Sequence, residues 1–130
     1  MSKYLGIDYG LANLGLAIAD GPLARPLFSL KVASDAETLT KLTTLIEKHD
    51  IETIIIGLPE GKLAPIIKKF AQNLARLTSL SVHLHPETLS TKEAILKLRS
   101  LNASKKKLRN DHVYAACLIL EDYLETLSTP

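Results

Sequence analysis

The stretch that decides the fold is Tyr4–Ile18, which reads YLGIDYGLANLGLAI. Two apolar segments, each long enough for a strand, flank a short turn-forming segment that contains Gly10. Because side chains alternate between the two faces of a strand, Asp8 lies on the face opposite Leu5 and Ile7, at the end of the first strand. The stretch therefore predicts a β-hairpin with one carboxylate at its rim.

The two glycines of this hairpin have different predicted roles. Gly10 is expected to be a left-handed turn residue. Gly15 is expected to let another backbone or a ligand approach the returning strand closely. Asp8 has two interpretations at this point, a residue that faces a metal ion or a phosphate, or an ordinary turn residue that ends a strand.

The composition narrows the class of protein. A chain of 130 residues with 46% hydrophobic and 23% charged residues predicts one folded domain, residues 1–130, with a substantial core. No apolar run approaches the roughly 18 residues that a membrane span needs, and Asp8 interrupts the apolar N-terminal stretch, which argues against a signal peptide. A cytoplasmic location is expected. The single cysteine, Cys117, cannot form an internal disulfide and is predicted to be packed in the core.

The net charge of +2 is unevenly distributed along the chain. Residues 1–61 hold five Lys or Arg and eight Asp or Glu, whereas residues 62–130 hold eleven and six. The second half could therefore face a polyanion, although a modest basic surplus is also common on solvated helices.

Apolar periodicity predicts the remaining elements. Residues 27–32 form a third strand, residues 53–59 form a β-branched strand covered on both faces, and residues 81–85 alternate as a fifth strand. Capping-box spacings at Ser34 and Ser90 each start a helix. A helix follows the fourth strand, residues 102–110 form a polar, basic connection, and the last helix runs from Asn110 or Asp111 to about Leu127.

Four helical stripes are expected to face the core. They are, in chain order, Leu39, Leu42, Leu45 and Ile46; Leu63, Ile66, Ile67, Phe70, Leu74 and Leu77; Ile95, Leu98 and Leu101; and Val113, Ala116, Cys117, Leu120 and Leu124. The order of elements predicts an α/β fold with a mixed five-stranded sheet, in which an antiparallel three-strand meander is joined by two parallel strands and flanked by helices.

Three carboxylates stand at the ends of predicted core elements, namely Asp8, Glu87 and Asp111. Carboxylates about 5 Å apart repel by roughly 3 kcal/mol per pair at an effective dielectric near 20, so a cluster needs a proton or a divalent cation. An all-oxygen site suits Mg²⁺ or Mn²⁺, which could support phosphodiester hydrolysis. Asp111 has an alternative role as a helix cap.

These residues lie in three of four motifs that together resemble the YqgF/RuvX family. The motifs are Gly6–Gly10 with Gly15; Gly57–Pro59; Glu87 followed by Leu89–Thr91, Glu93 and Ala94; and Asp111 followed by Ala115, Ala116, Ile119 and Leu120. The resemblance implies an RNase H-like fold and a nuclease, either a candidate Holliday-junction resolvase or a nuclease that matures the precursor of small-subunit ribosomal RNA. It also implies that Asp8, Glu87 and Asp111 are the catalytic, metal-binding triad. It implies precursor rRNA or branched DNA as the partner, no membrane, and a monomer or homodimer.

The chain departs from the family pattern at three places. Ala12 and Asn13 stand where the family usually has two basic residues, and Thr88 stands where it usually has Arg. The polar loop after Pro59 is shortened to residues 60–62. Each difference removes a plausible phosphate contact.

Other residues must then bind phosphate. The natural candidates are the basic residues just before Asp111, which are Lys105, Lys106, Lys107 and Arg109. A solvated connection is the alternative for this run. Such contacts would position nucleic acid without reading its sequence.

The histidines are secondary candidates. His112, beside Asp111, could relay a proton during water activation. His83 and His85 share a face and could bind a metal, but a half-buried or solvent-facing pair is the simpler interpretation.

Three functions are compatible with the sequence. The first is a metal-dependent nuclease acting on structured nucleic acid, and the second is a catalytically weakened relative that binds such nucleic acid. The third is an ATP-binding domain of the actin and sugar-kinase type, which also places Asp-x-Gly on a hairpin but needs two large lobes.

Overall fold

The computed structural model describes residues 2–87, 89–101 and 105–128, without the side chains of residues 89–90, 98–101, 105–110 and 128. Three strands open the chain, helices and strands then alternate as far as the fifth strand, and two consecutive helices follow. The elements are β1 (Tyr4–Tyr9), β2 (Asn13–Ala19), β3 (Arg25–Lys31), α1 (Asp35–Lys48), β4 (Thr53–Leu58), α2 (Leu63–Thr78), β5 (Ser81–Pro86), α3 (Leu89–Leu101) and α4 (Lys105–Ser128).

The strands form one sheet in the order β3-β2-β1-β4-β5. The β1–β2 and β2–β3 pairs are antiparallel, and the β1–β4 and β4–β5 pairs are parallel. The predicted meander with two added parallel strands is confirmed. Because β1 is central and parallel to β4 and β5, the carboxyl ends of these three strands share one edge of the sheet.

The two faces of the sheet carry side chains of different size. Large aliphatic residues of β1, β2 and β4, such as Leu5, Leu16 and Ile56, pack with α1 and α2. The opposite face carries small residues, including Ala17 and Ala19, and packs against α4. The small residues let α4 lie close to the sheet.

Three glycines mark the path of α4 across that face. A Cβ atom on Gly15 of β2 would lie 1.9 Å from the carbonyl oxygen of His112. A Cβ atom on Gly6 of β1 would lie 2.9 Å from the carbonyl oxygen of Ala116. On β4, a Cβ atom on Gly57 would lie 2.6 Å from Cδ1 of Ile119. The helix therefore crosses β2, β1 and β4 in turn, and the prediction that Gly15 permits close approach of a backbone is confirmed.

The predicted start of the last helix is wrong. The helix α4 begins at Lys105, so residues 105–110 are helical and do not belong to a connection. Lys, Leu and Arg are strong helix formers, and the run contains no Gly or Pro to stop a helix. The first capping box is partly confirmed, because the Ser34 hydroxyl accepts from the amide of Glu37, at 3.2 Å, while the Glu37 carboxylate pairs with Lys41. The helix α3 begins at Leu89, one residue before the predicted cap at Ser90.

The predicted core stripes are mostly correct. All five residues predicted for α4 are buried. In α2, Ile66 and Leu77 were expected to face the core but are 45% and 56% exposed, because Ala71 takes part in the buried face instead. Ile95 of α3 is buried, and the side chains of Leu98 and Leu101 lie outside the described residues.

Cys117, a residue of α4, is buried, as predicted. Burial, and then the negative charge of Glu121, raise the pKa of the thiol from 9.0 to about 11. The thiol is therefore protonated at neutral pH. Within the described ranges, no helix combines the length and the apolar character that crossing a membrane requires.

We expect graded losses of stability when alanine replaces the glycines under α4. Gly15→Ala meets helix backbone and should cost about 3 kcal/mol or more, and Gly6→Ala should cost about 1–3 kcal/mol. Gly57→Ala meets the mobile end of Ile119 and should cost less than about 1.5 kcal/mol. Urea denaturation measures the series. Gly21→Ala is the control, because a Cβ atom there would meet no other described residue within 4 Å; equal losses at all four sites would contradict the close approach of α4.

We also expect Cys117 to resist alkylation in the folded protein. At pH 8 the folded thiol should react with iodoacetamide about 100-fold more slowly than in the urea-unfolded chain, because so little of it is thiolate. The rates are measured by mass spectrometry of the intact chain. Similar rates in the folded and unfolded chains would show that the thiol is accessible.

Candidate active site at the carboxyl ends of the central strands

Asp8 lies near the end of β1 on the face that packs against α4, and it is 7% exposed. Its partner across the antiparallel pair is Gly15. The parallel register, in which Ile7 pairs with Ile56, places Gly57 beside Asp8 on the other side. The carboxylate thus stands between two residues without side chains, and α4 occupies the volume that their side chains would fill.

His112 contacts Asp8 directly. The imidazole Nδ1 lies 2.6 Å from Oδ2 of Asp8, with the two side chains 23% and 10% exposed. This short distance is typical of a hydrogen bond in which the imidazole donates to a carboxylate. The contact joins β1 to α4 across 104 positions of the chain.

The hairpin is shaped around His112. A Cβ atom on Gly10 would lie 2.8 Å from Cε1 of His112 and 2.6 Å from the carbonyl oxygen of Asn13. The prediction of a left-handed Gly10 is wrong, because Gly61 is the glycine with positive φ in the described chain. Gly10 is required for its lack of a side chain, and the imidazole of His112 lies against it.

Asp111 precedes His112 and is 2% exposed. It cannot cap α4, because six helical residues come before it and only the first four amides of a helix lack an intrahelical acceptor. The capping alternative is therefore excluded. The backbone of His112 lies over Gly15, the partner of Asp8, so the structure brings Asp8, Asp111 and His112 to the same end of the sheet.

Glu87 lies one residue beyond β5 and is partly exposed. The register places His85 beside Gly57, at the level of Asp8. Glu87 is thus two strands away from Asp8, about 10 Å across the sheet, and about 7 Å further along. It lies at the same edge of the sheet as Asp8, as predicted.

The donor set fits a hard cation, because all three carboxylates supply oxygen. In the described part of the chain, however, no three His, Cys, Asp or Glu side chains are placed to hold a metal ion together. The metal site therefore stays a prediction.

The predicted phosphate-binding residues cannot be placed in full. Lys105, Lys106, Lys107 and Arg109 lie in the first two turns of α4, immediately before Asp111, but their side chains are outside the described residues. Thr88 is outside them as well. A role in phosphate binding stays a prediction for the basic run.

His83 and His85 are part of an aromatic cluster at the edge of the sheet. Their rings both lie 5.7 Å from the ring of Tyr123, and Nε2 of His85 lies 2.6 Å from Asp122 Oδ2. His85 is partly buried and His83 is exposed, which agrees with the simpler interpretation of this pair. Sequence reasoning missed Asp122 and Tyr123, because nothing local links them to β5. Burial, and then the neighbouring Tyr4, raise the pKa of the Tyr123 phenol.

The fold is similar to that of solved Holliday junction resolvases. RuvC of Thermus thermophilus in complex with a Holliday junction substrate matches with a TM-score of 0.65 at 14% identity, over 99% of this chain and 98% of that one. The fowlpox virus Holliday junction resolvase matches with a TM-score of 0.63 at 13% identity, over 96% and 99%. The fold is therefore the RNase H-like fold of these resolvases.

Sequence comparison identifies the family within this class. Residues 2–126 match the RuvX family, described as a Holliday junction resolvase. A relative from Anaeromyxobacter sp. is 36% identical over 95% of this chain and 96% of its own length. One from Rickettsia canadensis is 33% identical over 97% and 88%. Both are named as candidate pre-16S rRNA nucleases. The chain belongs to the RuvX family, as its motifs predict.

We expect strong energetic coupling between Asp8 and His112. His112→Phe keeps the ring against Gly10 but cannot donate to the carboxylate, so the contact is lost. In a double-mutant cycle with Asp8→Ala, which removes the acceptor, urea denaturation should give a coupling energy of about 1–3 kcal/mol. His49→Phe with Asp20→Ala is a control pair remote from the site. Additive effects of Asp8→Ala and His112→Phe would contradict the hydrogen bond.

Proposed function

We propose that this protein is a metal-dependent endonuclease that hydrolyses phosphodiester bonds in structured nucleic acid. The observation that carries the proposal is the buried Asp8 carboxylate, which ends the central strand, contacts His112 at 2.6 Å and shares its end of the sheet with Asp111. Two buried carboxylates at one end of the sheet are costly without hydrogen bonds, a cation or a proton to offset their charge. Membership of the RuvX family supports the reaction class.

Asp8, Glu87 and Asp111 would hold Mg²⁺ or Mn²⁺ in this proposal. Such an ion supplies Lewis-acid stabilisation of the charge that develops on the phosphate oxygens. Glu87 is the most exposed of the three, so it is the ligand that substrate and ion would have to draw inward. Asp8 is held by β1, and Asp111 is held by α4 next to His112, whose backbone lies over Gly15.

His112 has a supporting role in the proposal. Its imidazole holds the Asp8 carboxylate in one orientation, and its partly exposed ring could pass a proton between that carboxylate and solvent. Tyr9, the next residue after Asp8, faces the opposite layer and packs against Phe70, with the ring centroids 4.9 Å apart and the ring planes tilted by 55°. Burial, and then the charge of Asp35, raise the pKa of the Tyr9 phenol, so it contributes packing and remains neutral.

The substrate in the proposal is precursor rRNA or branched DNA. The relatives named for pre-16S rRNA favour the RNA, and the resolvases of similar fold favour branched DNA. Contacts from Lys105, Lys106, Lys107 and Arg109 would bind phosphates and make affinity fall steeply with salt. A cytoplasmic location, as a monomer or a homodimer, accompanies either substrate.

A second candidate is a module that binds structured nucleic acid with little or no cleavage. The observation in its favour is the turn beside Asp8, where Leu11, Ala12 and Asn13 supply no cation to hold a scissile phosphate. An ATP-binding domain has less support, because the fold and the family both match resolvases over nearly the whole chain.

Cleavage assays distinguish these functions. With Mg²⁺ or Mn²⁺, the wild type should cleave a four-way DNA junction or a 16S rRNA precursor. Asp8→Asn and Asp111→Asn should each lower the rate by at least about 100-fold, since even residues that only support a metal ligand contribute about 10- to 100-fold. Asp20→Asn, an exposed carboxylate on the β2–β3 connection, should cleave normally.

Two outcomes would contradict the nuclease. Cleavage by Asp8→Asn at the rate of the wild type would exclude the proposed site. Binding of either substrate by the wild type without cleavage, and with the same affinity in Asp8→Asn, would establish the second candidate.

A further inference from the structure

An exposed apolar side chain stands at the tip of the β1–β2 hairpin, beside the candidate active site. Leu11 is 70% exposed, whereas Asp8, Tyr9 and Gly10 are buried. The neighbouring Ala12 is exposed, and the turn contains no Lys or Arg. The hairpin thus presents an aliphatic side chain to solvent three residues after the carboxylate.

The turn that carries Leu11 is fixed from two sides. Gly10 packs so closely on His112 and the Asn13 carbonyl that a side chain would not fit. The carbonyl oxygen of Ala12 accepts a hydrogen bond from the amide of Val32, at 2.9 Å, which ties the turn to the end of β3. Leu11 is therefore held in one place by packing that does not involve its own side chain.

An isobutyl group in this position cannot bind phosphate, but it can contact the face of a nucleobase. Aliphatic side chains that enter nucleic acids insert at steps where bases part from their neighbours. In a continuous duplex every base is stacked on both sides, so such contact requires a branch point, a bulge or a loop. The chemistry of Leu11 thus favours substrates with an unstacked base near the cleaved bond.

We propose that Leu11 forms a subsite for an unstacked nucleobase beside the active site, and that it makes the protein select branched or looped nucleic acid over continuous duplex. This inference rests on the proposed function, because it assumes that nucleic acid reaches Asp8. It assigns selection of substrate shape to the hairpin tip and leaves phosphate binding to other residues.

Single exposed apolar residues are common on protein surfaces, so a matched control is needed. Leu23 is 74% exposed and lies on the β2–β3 connection, at the other end of the same hairpin. It is the same residue type with similar exposure, but it is remote from Asp8. Leu23→Ser therefore measures the general effect of removing an exposed leucine.

The test measures binding in EDTA, where no cleavage occurs. The probes are a four-way DNA junction with 2-aminopurine at the branch point and a linear duplex of the same arm sequence. We expect Leu11→Ser to weaken junction binding about 5- to 10-fold and to reduce the rise in 2-aminopurine fluorescence, with duplex binding unchanged. Leu11→Met should retain most of the wild-type signal, and Leu23→Ser should match the wild type.

Other results would overturn the subsite. One is that Leu11→Ser and the wild type have equal junction affinity and fluorescence. Another is that Leu11→Ser and Leu23→Ser lose junction affinity equally. A third is that the wild type binds the junction no better than the duplex. Because binding is measured without metal, the result is independent of cleavage. If the wild type cleaves but Leu11→Ser leaves junction binding unchanged, only the Leu11 subsite is contradicted. If Leu11→Ser weakens junction binding but the wild type does not cleave, only the proposed nuclease is contradicted.

Discussion

The close approach of α4 to the sheet is the constraint on which the site depends. At Gly15 the helix backbone occupies the volume in which any other residue would have its Cβ atom. Gly6 and Gly57 extend this path over β1 and β4. Because protein interiors are close-packed, α4 cannot shift along the sheet without breaking these contacts. The glycines therefore determine which residues of α4 lie at the end of β1.

The two layers on either side of the sheet contain side chains of different size and polarity. The layer formed with α1 and α2 contains large aliphatic side chains and supplies most of the apolar burial. The layer formed with α4 contains small residues and places polar groups at its end, where Asp8 meets His112. The larger apolar core and the candidate active site thus lie on opposite faces of one sheet, and β1 contributes residues to both.

The hairpin between β1 and β2 combines two properties. It is rigid, because its glycine is packed against His112 and its carbonyl is bonded to Val32. It also lacks the cations that a phosphate-binding loop would use, and it exposes Leu11 instead. In the proposed nuclease, the basic residues of α4 would bind the phosphates of the nucleic acid. The hairpin would select substrates with an unstacked base.

The sequence alone determined the five strands, the antiparallel meander with two parallel strands, most buried residues and the positions of Asp8 and Glu87 at the ends of β1 and β5, because apolar periodicity and β-branched runs act locally. Tertiary structure decided the rest. Three contacts join segments that are remote in the chain. They are the packing of Gly10 against His112, the contact between Asp8 and His112, and the pairing of His85 with Asp122. The start of α4 at Lys105 excluded a capping role for Asp111. The helix propensity of residues 105–110 already favoured this early start. Such contacts depend on how closely one surface can approach another, and no local pattern of residues encodes that distance.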